Sequence, residues 1–262
     1  MILDPVAIAR YVNKANVVTA AWKSLFNAVP TKHAVILSMG VAEFETHLGD
    51  AGGSWKGEHN WGAVHKRSLT TAEAAVLHAQ GVQASTGEPA VAKARALLAP
   101  TAPDEALHID DSPTGKYFVW FYAFPNDVEA AKKFLQTLVG NRPAVRAVID
   151  QGTPADVARA MYQTKYFTGV HKNDDEANIG DYARNVAAKV QTIESALSMA
   201  GWDTGHAQAP LEDPSTVRVL TNIAEERASR NVVPLVAIGG LMFGGLALAL
   251  TLRLHARKLE TL

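Results

Sequence analysis

AEFETHLGDAGGSWKGEHNWGAVHKR, residues 42–67, is the stretch on which the rest of the chain turns. Its first residues close an apolar helix that the spacing predicts from Thr31 to His47. Thr31 is the N-cap, Val35, Ile36, Met39 and Ala42 share a face, and Gly49 is the stop. Beyond it, Gly49, Gly52, Gly53 and Gly57 make a turn region carrying Trp55, followed by Asn60-Trp61-Gly62. Glu43 and Glu45 stand at i and i+2 near the helix end and so point to different sides.

Outward from this stretch the pattern is mostly helical. Asp4-Pro5 reads as an N-cap and a first-turn proline, and Ile8, Tyr11, Val12, Ala15, Val18, Trp22, Leu25 and Phe26 follow at helical spacing, giving an amphipathic helix over residues 1–30. Residues 70–99 are alanine-rich and read as two short helices broken at Ser85-Thr86-Gly87. Glu105–Asp111 and Lys116–Ala123 flank a Ser-Pro-Thr-Gly turn. KYFVWFYAF, residues 116–124, is rich in aromatic and β-branched residues, so a hairpin is expected as the sole β structure. Helices return at Asn126–Val139, Arg142–Asp150, Thr153–Gln163 and Ile179–Met199. Residues 201–231 read as a linker and a polar juxtamembrane helix.

Val232 to Leu252, VVPLVAIGGLMFGGLALALTL, holds no charged residue. It matches the ~20 residues that cross a bilayer core, and no polar face argues for a buried globular helix. A single membrane-spanning helix is expected here, with 253–262 as a short basic tail. Gly240 and Gly244 form a GxxxG pair compatible with a homo-oligomer in the bilayer, although glycine is common in such helices. Arg253, Arg257 and Lys258 weakly favour a cytoplasmic C-terminus. MILDPVAIARYVNK lacks a basic segment ahead of an apolar run, so a cleaved signal peptide is not expected.

Composition narrows the function classes. The chain has 262 residues, a net charge of -1 and no cysteine. That excludes disulfides and cysteine zinc sites, and no Lys/Arg run suits nucleic acid. His47, His59 and His65 fit no zinc spacing, so neither metal nor cofactor is expected. A carboxyl group at a helix end, beside a glycine-rich loop bearing indoles and an amide, suits glycan cleavage. Aromatic faces bind sugar rings, and partial burial keeps a glutamate protonated near neutral pH.

The order of EFETHLG (43–49), NWGAV (60–64), a hairpin, helices and a late tyrosine resembles glycoside hydrolase family 73, the bacterial and phage endo-β-N-acetylglucosaminidases. Its usual signature is close to ALESGWG followed by NLFGIK. YAFPNDVEAAKKFLQTLVGNRPAVRAVIDQGTPADVARAMYQTKYFTG (122–169) and GDYARNVAAKVQTI (180–193) resemble its later segments. The likeness spans about residues 30–200 through several weak motifs. It implies a mainly α, α+β lysozyme-like domain at 31–200. It also implies Glu45 as general acid, Tyr182 as the cleft tyrosine of the terminal helix, and Tyr166 as the one before it. Asn60 and Trp61 match the pair that opens the substrate groove; Trp55 matches no family position and is a candidate sugar contact by its residue type in the glycine-rich turn. His47 and Leu48 depart from the family pattern, and the span from Arg67 to Pro103 is longer than usual. The family's second carboxylate lies in or near the hairpin, where Glu105, Asp110 and Asp111 are all candidates. The implied activity is a membrane-anchored peptidoglycan hydrolase acting by an inverting, substrate-assisted or lytic transglycosylase route. The setting would be a bacterial inner membrane or a phage virion with an internal membrane. The rival expectation is a non-catalytic peptidoglycan-binding or structural protein of a virion or envelope assembly.

Overall fold

A computed structural model describes residues 3–50, 58–112, 115–167, 169, 171 and 173–207. Trp55, most of the expected linker, the expected membrane helix (232–252) and the tail lie outside the described residues. Among the described residues no helix is long and apolar enough to cross a membrane.

The chain is mainly helical with one small sheet. Helices α1 (Pro5–Phe26), α2 (Lys32–Thr46), α5 (Asp127–Leu135), α6 (Pro143–Val148), α7 (Pro154–Gln163) and α8 (Asp175–Met199) share one core. Side-chain caps start them. Asp4 takes the Val6 amide (2.9 Å), Thr31 the Ala34 amide (3.0 Å) and Asn126 the Glu129 amide (3.0 Å).

Two expectations change here. Helix α1 is central rather than one-sided. Asn13, Lys14, Asn16 and Thr19 are as buried as Ile8 and Trp22. These polar groups are tolerated because they are bonded: Thr19 to the Ala15 carbonyl (2.8 Å), and Asn16 to the Trp202 indole N–H (2.8 Å). That Trp202 is itself buried, so the chain from Gly201 to Ala207 belongs to the domain and not to a linker.

The hairpin is present as β2 (Glu105–Ser112) and β3 (Gly115–Tyr122), but a third strand, β1 (His65–Ser68), pairs antiparallel with β3. The order is β1-β3-β2. Helices α3 (Thr71–Ala79) and α4 (Glu88–Leu97) cover one face, where Leu77, Ala94 and Leu98 pack on Leu107 and Trp120. Because side chains alternate along a strand, Ala106, His108 and Asp110 point to the opposite face, together with Val119 and Phe121.

Helices α2 and α8 meet at Gly40. A Cβ there would lie 2.5 Å from Val190 Cγ2, so only glycine permits this approach. The contact aligns the end of α2 with the start of α8, and it is this alignment that assembles the site.

Candidate functional site

Glu45 lies in the last turn of α2, half-buried. A carboxylate there sits at the negative end of the helix, which disfavours its charge. Tyr182, on α8, donates its hydroxyl to Glu45 Oε1 at 2.5 Å. The Tyr182 ring is fixed by Phe167 stacked at 4.0 Å and Phe44 edge-on at 5.1 Å. Burial raises the Glu45 pKa to about 7, the Tyr182 hydrogen bond opposes the rise, and the charge of Asp110 adds to it. Glu45 is therefore about half protonated at neutral pH and largely protonated below it.

Asp110, on β2, behaves in the opposite way. Burial works against its charge, but His65 Nε2 at 2.7 Å and the Tyr117 hydroxyl at 3.0 Å hold its pKa below the ordinary aspartate value. The Asp111 amide adds a bond to Oδ1 at 2.9 Å. One carboxyl group kept protonated and a second kept ionised, close enough for the charge of one to act on the other, is the arrangement that general acid and base work requires.

Strand alternation separates the three hairpin carboxylates, and Asp110 is the one on the face of Glu45. Glu105 and Asp111 have the other parity. Glu105 faces α3 and α4, gripped by Arg67 (2.8 Å) and the Thr101 amide (2.7 Å), and Asp111 is exposed. Glu43 is occupied too, accepting from Arg10 Nη2 (3.0 Å) and the Tyr11 hydroxyl (3.2 Å) on the far side of α2.

The remaining expected residues divide. Tyr166 is beside the site. Its hydroxyl donates to the Gly62 carbonyl at 3.1 Å, and burial with the charge of Glu45 keeps it protonated. Gly62 has φ +75°, and a Cβ would lie 2.8 Å from the Tyr166 hydroxyl and 2.5 Å from Phe134, so glycine is needed on both counts. Trp61, expected to contact substrate, is wholly buried and donates its indole N–H to Asp127 (3.1 Å). Asn60 is buried as well. Its amide donates to the Val64 and Tyr122 carbonyls (3.2 and 2.9 Å) and accepts from the Val64 amide (2.9 Å). Both residues build the turn beneath the site instead of lining it.

His47, His59 and His65 lie on three different partners, Glu43, Asp127 and Asp110. Among the described residues no group of three or more ligating side chains suits a metal ion. His65, weighed in the sequence only as a metal ligand, and Tyr117, which the sequence did not single out, both serve Asp110. Their signal is positional: Tyr117 is the register partner of Asp110. Compared with protein-family models, curated proteins and solved structures, the chain matches none.

Proposed function

We propose that this chain is a lysozyme-like peptidoglycan hydrolase held at a membrane by Val232–Leu252, cutting the glycan strand with Glu45 as general acid. The observation that carries this reading is the pairing of two differently held carboxyl groups, Glu45 bonded to the Tyr182 hydroxyl and Asp110 to His65 and Tyr117, with burial raising the pKa of the first and these donors lowering that of the second. In the proposed step the bond from the anomeric carbon to the leaving oxygen breaks, and Glu45 gives that oxygen its proton. Positive charge then develops on the ring. Asp110, ionised, faces that charge and takes a proton from the water that adds to the anomeric carbon.

The pH dependence follows from the two carboxyl groups. Activity requires Glu45 protonated, so it falls as pH rises through about 7. It requires Asp110 ionised, so on the acid side it persists to below the ordinary aspartate range. Tyr182→Phe removes the bond that favours the Glu45 anion. The alkaline limb of a kcat/KM profile is expected to move to higher pH, with a lower plateau because the acid is less firmly held. An unmoved limb would separate Tyr182 from the titration of Glu45.

The test uses the full-length chain in detergent on purified peptidoglycan, beside Glu45→Gln and Asp110→Asn. Release of muropeptides by the wild type alone supports the reading, and mass spectrometry of the new ends names the bond. A folded wild type that binds the wall but releases nothing would instead indicate a non-catalytic peptidoglycan-binding protein.

A further inference from the structure

We propose that His65 is the positioning residue for Asp110, fastening one carboxylate oxygen so that the other is left to act as base. This rests on the hydrolase reading above, but the geometry stands by itself. A carboxylate offers about four lone-pair sites. Two of them, on Oδ2, are taken by His65 Nε2 at 2.7 Å and the Tyr117 hydroxyl at 3.0 Å. On Oδ1 the Asp111 amide takes one at 2.9 Å. The remaining acceptor site is on Oδ1, and among the described residues no donor takes it, so a water molecule can use it without displacing one of them.

His65 reaches Asp110 because of a backbone irregularity. In a regular strand His65 and Arg67 share a face. The register shifts between them: His65 pairs with Phe121, while Arg67 pairs with Trp120. The shift is a β-bulge at Lys66, and it sends the two side chains to opposite faces. Arg67 turns to Glu73 and Glu105 beneath α3 and α4. His65 turns to the site face, its ring edge-on to Phe121 at 4.6 Å and aimed across β3 at Asp110. The bulge thus separates a structural ion cluster from the site and hands the imidazole to Asp110.

The titratable groups facing Asp110 come from each neighbouring element. They are His65 from β1, Tyr117 from β3, Glu45 from α2, and Asp111 from its own strand, itself 4.0 Å from Lys116. His65 and Tyr117 are the side-chain donors among them, and burial opposes the Asp110 charge. Loss of His65 therefore leaves Asp110 with the Tyr117 hydroxyl as its side-chain donor and the cost of burial still to offset.

The experiment uses the full-length chain in detergent micelles with carbon-13-labelled aspartate, the Asp110 carboxyl signal being assigned by its loss in Asp110→Asn. His65→Ala is expected to move the Asp110 titration midpoint to higher pH. Tyr117→Phe moves it the same way by less, and His65→Gln, which keeps an N–H donor, restores part of the wild-type midpoint. In the peptidoglycan assay, His65→Ala lowers kcat by roughly 10- to 100-fold with KM little changed, the expected effect of a misplaced catalytic group. The acid limb of its kcat/KM profile shifts upward, which a general loosening of the fold would not produce. An Asp110 midpoint unaltered in both His65 variants overturns the proposal whatever the activity does. A shifted midpoint in a chain whose wild type releases no glycan sinks the hydrolase reading while leaving the His65–Asp110 coupling in place.

Discussion

Replacing Glu45 by Gln is expected to lower glycan release from peptidoglycan by roughly 10²–10⁴-fold, the usual contribution of a positioned general acid. The same change is expected to stabilise the fold at alkaline pH. The carboxyl pKa rises from 4.5 to about 7 on folding because burial disfavours the anion. The folded state therefore holds the proton more tightly than the unfolded state, and stability falls as pH climbs from about 4.5 to about 7, then levels off. The full difference corresponds to about 3 kcal/mol. Glutamine carries no charge at any pH and keeps an oxygen for Tyr182. Denaturant unfolding of wild type and Glu45→Gln should thus coincide near pH 4 and separate at pH 8, the variant being more stable. Loss of activity with no gain at pH 8 would mean that Glu45 is already solvated and ionised, and would remove the basis for its role as acid. Unchanged activity would move the acid function off Glu45 altogether, and Glu43, tied to Arg10 and Tyr11, is not free to take it.

A site of this kind conflicts with stability by construction. Glu45 costs folding energy when ionised, and the turn that follows it is strained. His47 and Leu48 both have positive φ, 51° and 56°, a conformation that non-glycine residues adopt at a cost, and Leu48 is wholly buried there. Such a turn persists when its surroundings over-determine it. Here they do so through cations on α1. Arg10 donates to the His47 carbonyl at 2.6 Å and Lys14 to the Leu48 carbonyl at 2.9 Å.

Much of this architecture is legible locally. Caps and first-turn prolines give the starts of α1, α2 and α7 to within a residue or so, and the Ser-Pro-Thr-Gly turn with its aromatic run gives β2 and β3. Glu45 and Tyr182 lie on strongly patterned helices, and the structure brings them together. What sequence does not reveal is long-range. Strand β1 is four polar residues, HKRS, with no alternation of its own, and it exists because β3 offers a free edge. Trp61 looks like a sugar platform by type, but its destination is decided by Asp127, far along the chain. Choosing Asp110 over Glu105 and Asp111 needs the face of the sheet, which only the packing of α3 and α4 against Leu107 and Trp120 fixes. The polar residues of α1 read as a solvated face until their partners in other elements are known.

Lys14→Met is expected to destabilise the domain by about 3–5 kcal/mol, the cost of stranding the largely buried Asp127 carboxylate without its cation. Lys14 is 2% exposed, and its ammonium group lies 2.7 Å from Asp50, 2.6 Å from Asp127 and 5.3 Å from the Trp61 ring centroid. Burial works against the Asp127 charge, yet His59, Lys14 and Trp61 together hold its pKa down to about 2. A depressed carboxylate contributes stability above its unfolded value near 3.8 and loses that contribution as pH falls towards 2. The wild type should therefore weaken steeply in that acid window, and Lys14→Met should show a flatter dependence because part of what is lost there is already gone. Adding Asp127→Asn to Lys14→Met should recover a substantial part of the deficit, since no buried charge then lacks its partner, and the double-mutant cycle measures the coupling directly. Activity should not recover with it. Lys14 also ties down the Leu48 carbonyl, three residues past Glu45, so a stable double variant with a relaxed turn would still present its acid poorly. Full recovery of both stability and activity in the double variant would show that the strained turn is held by other contacts, and that the buried cation serves folding alone.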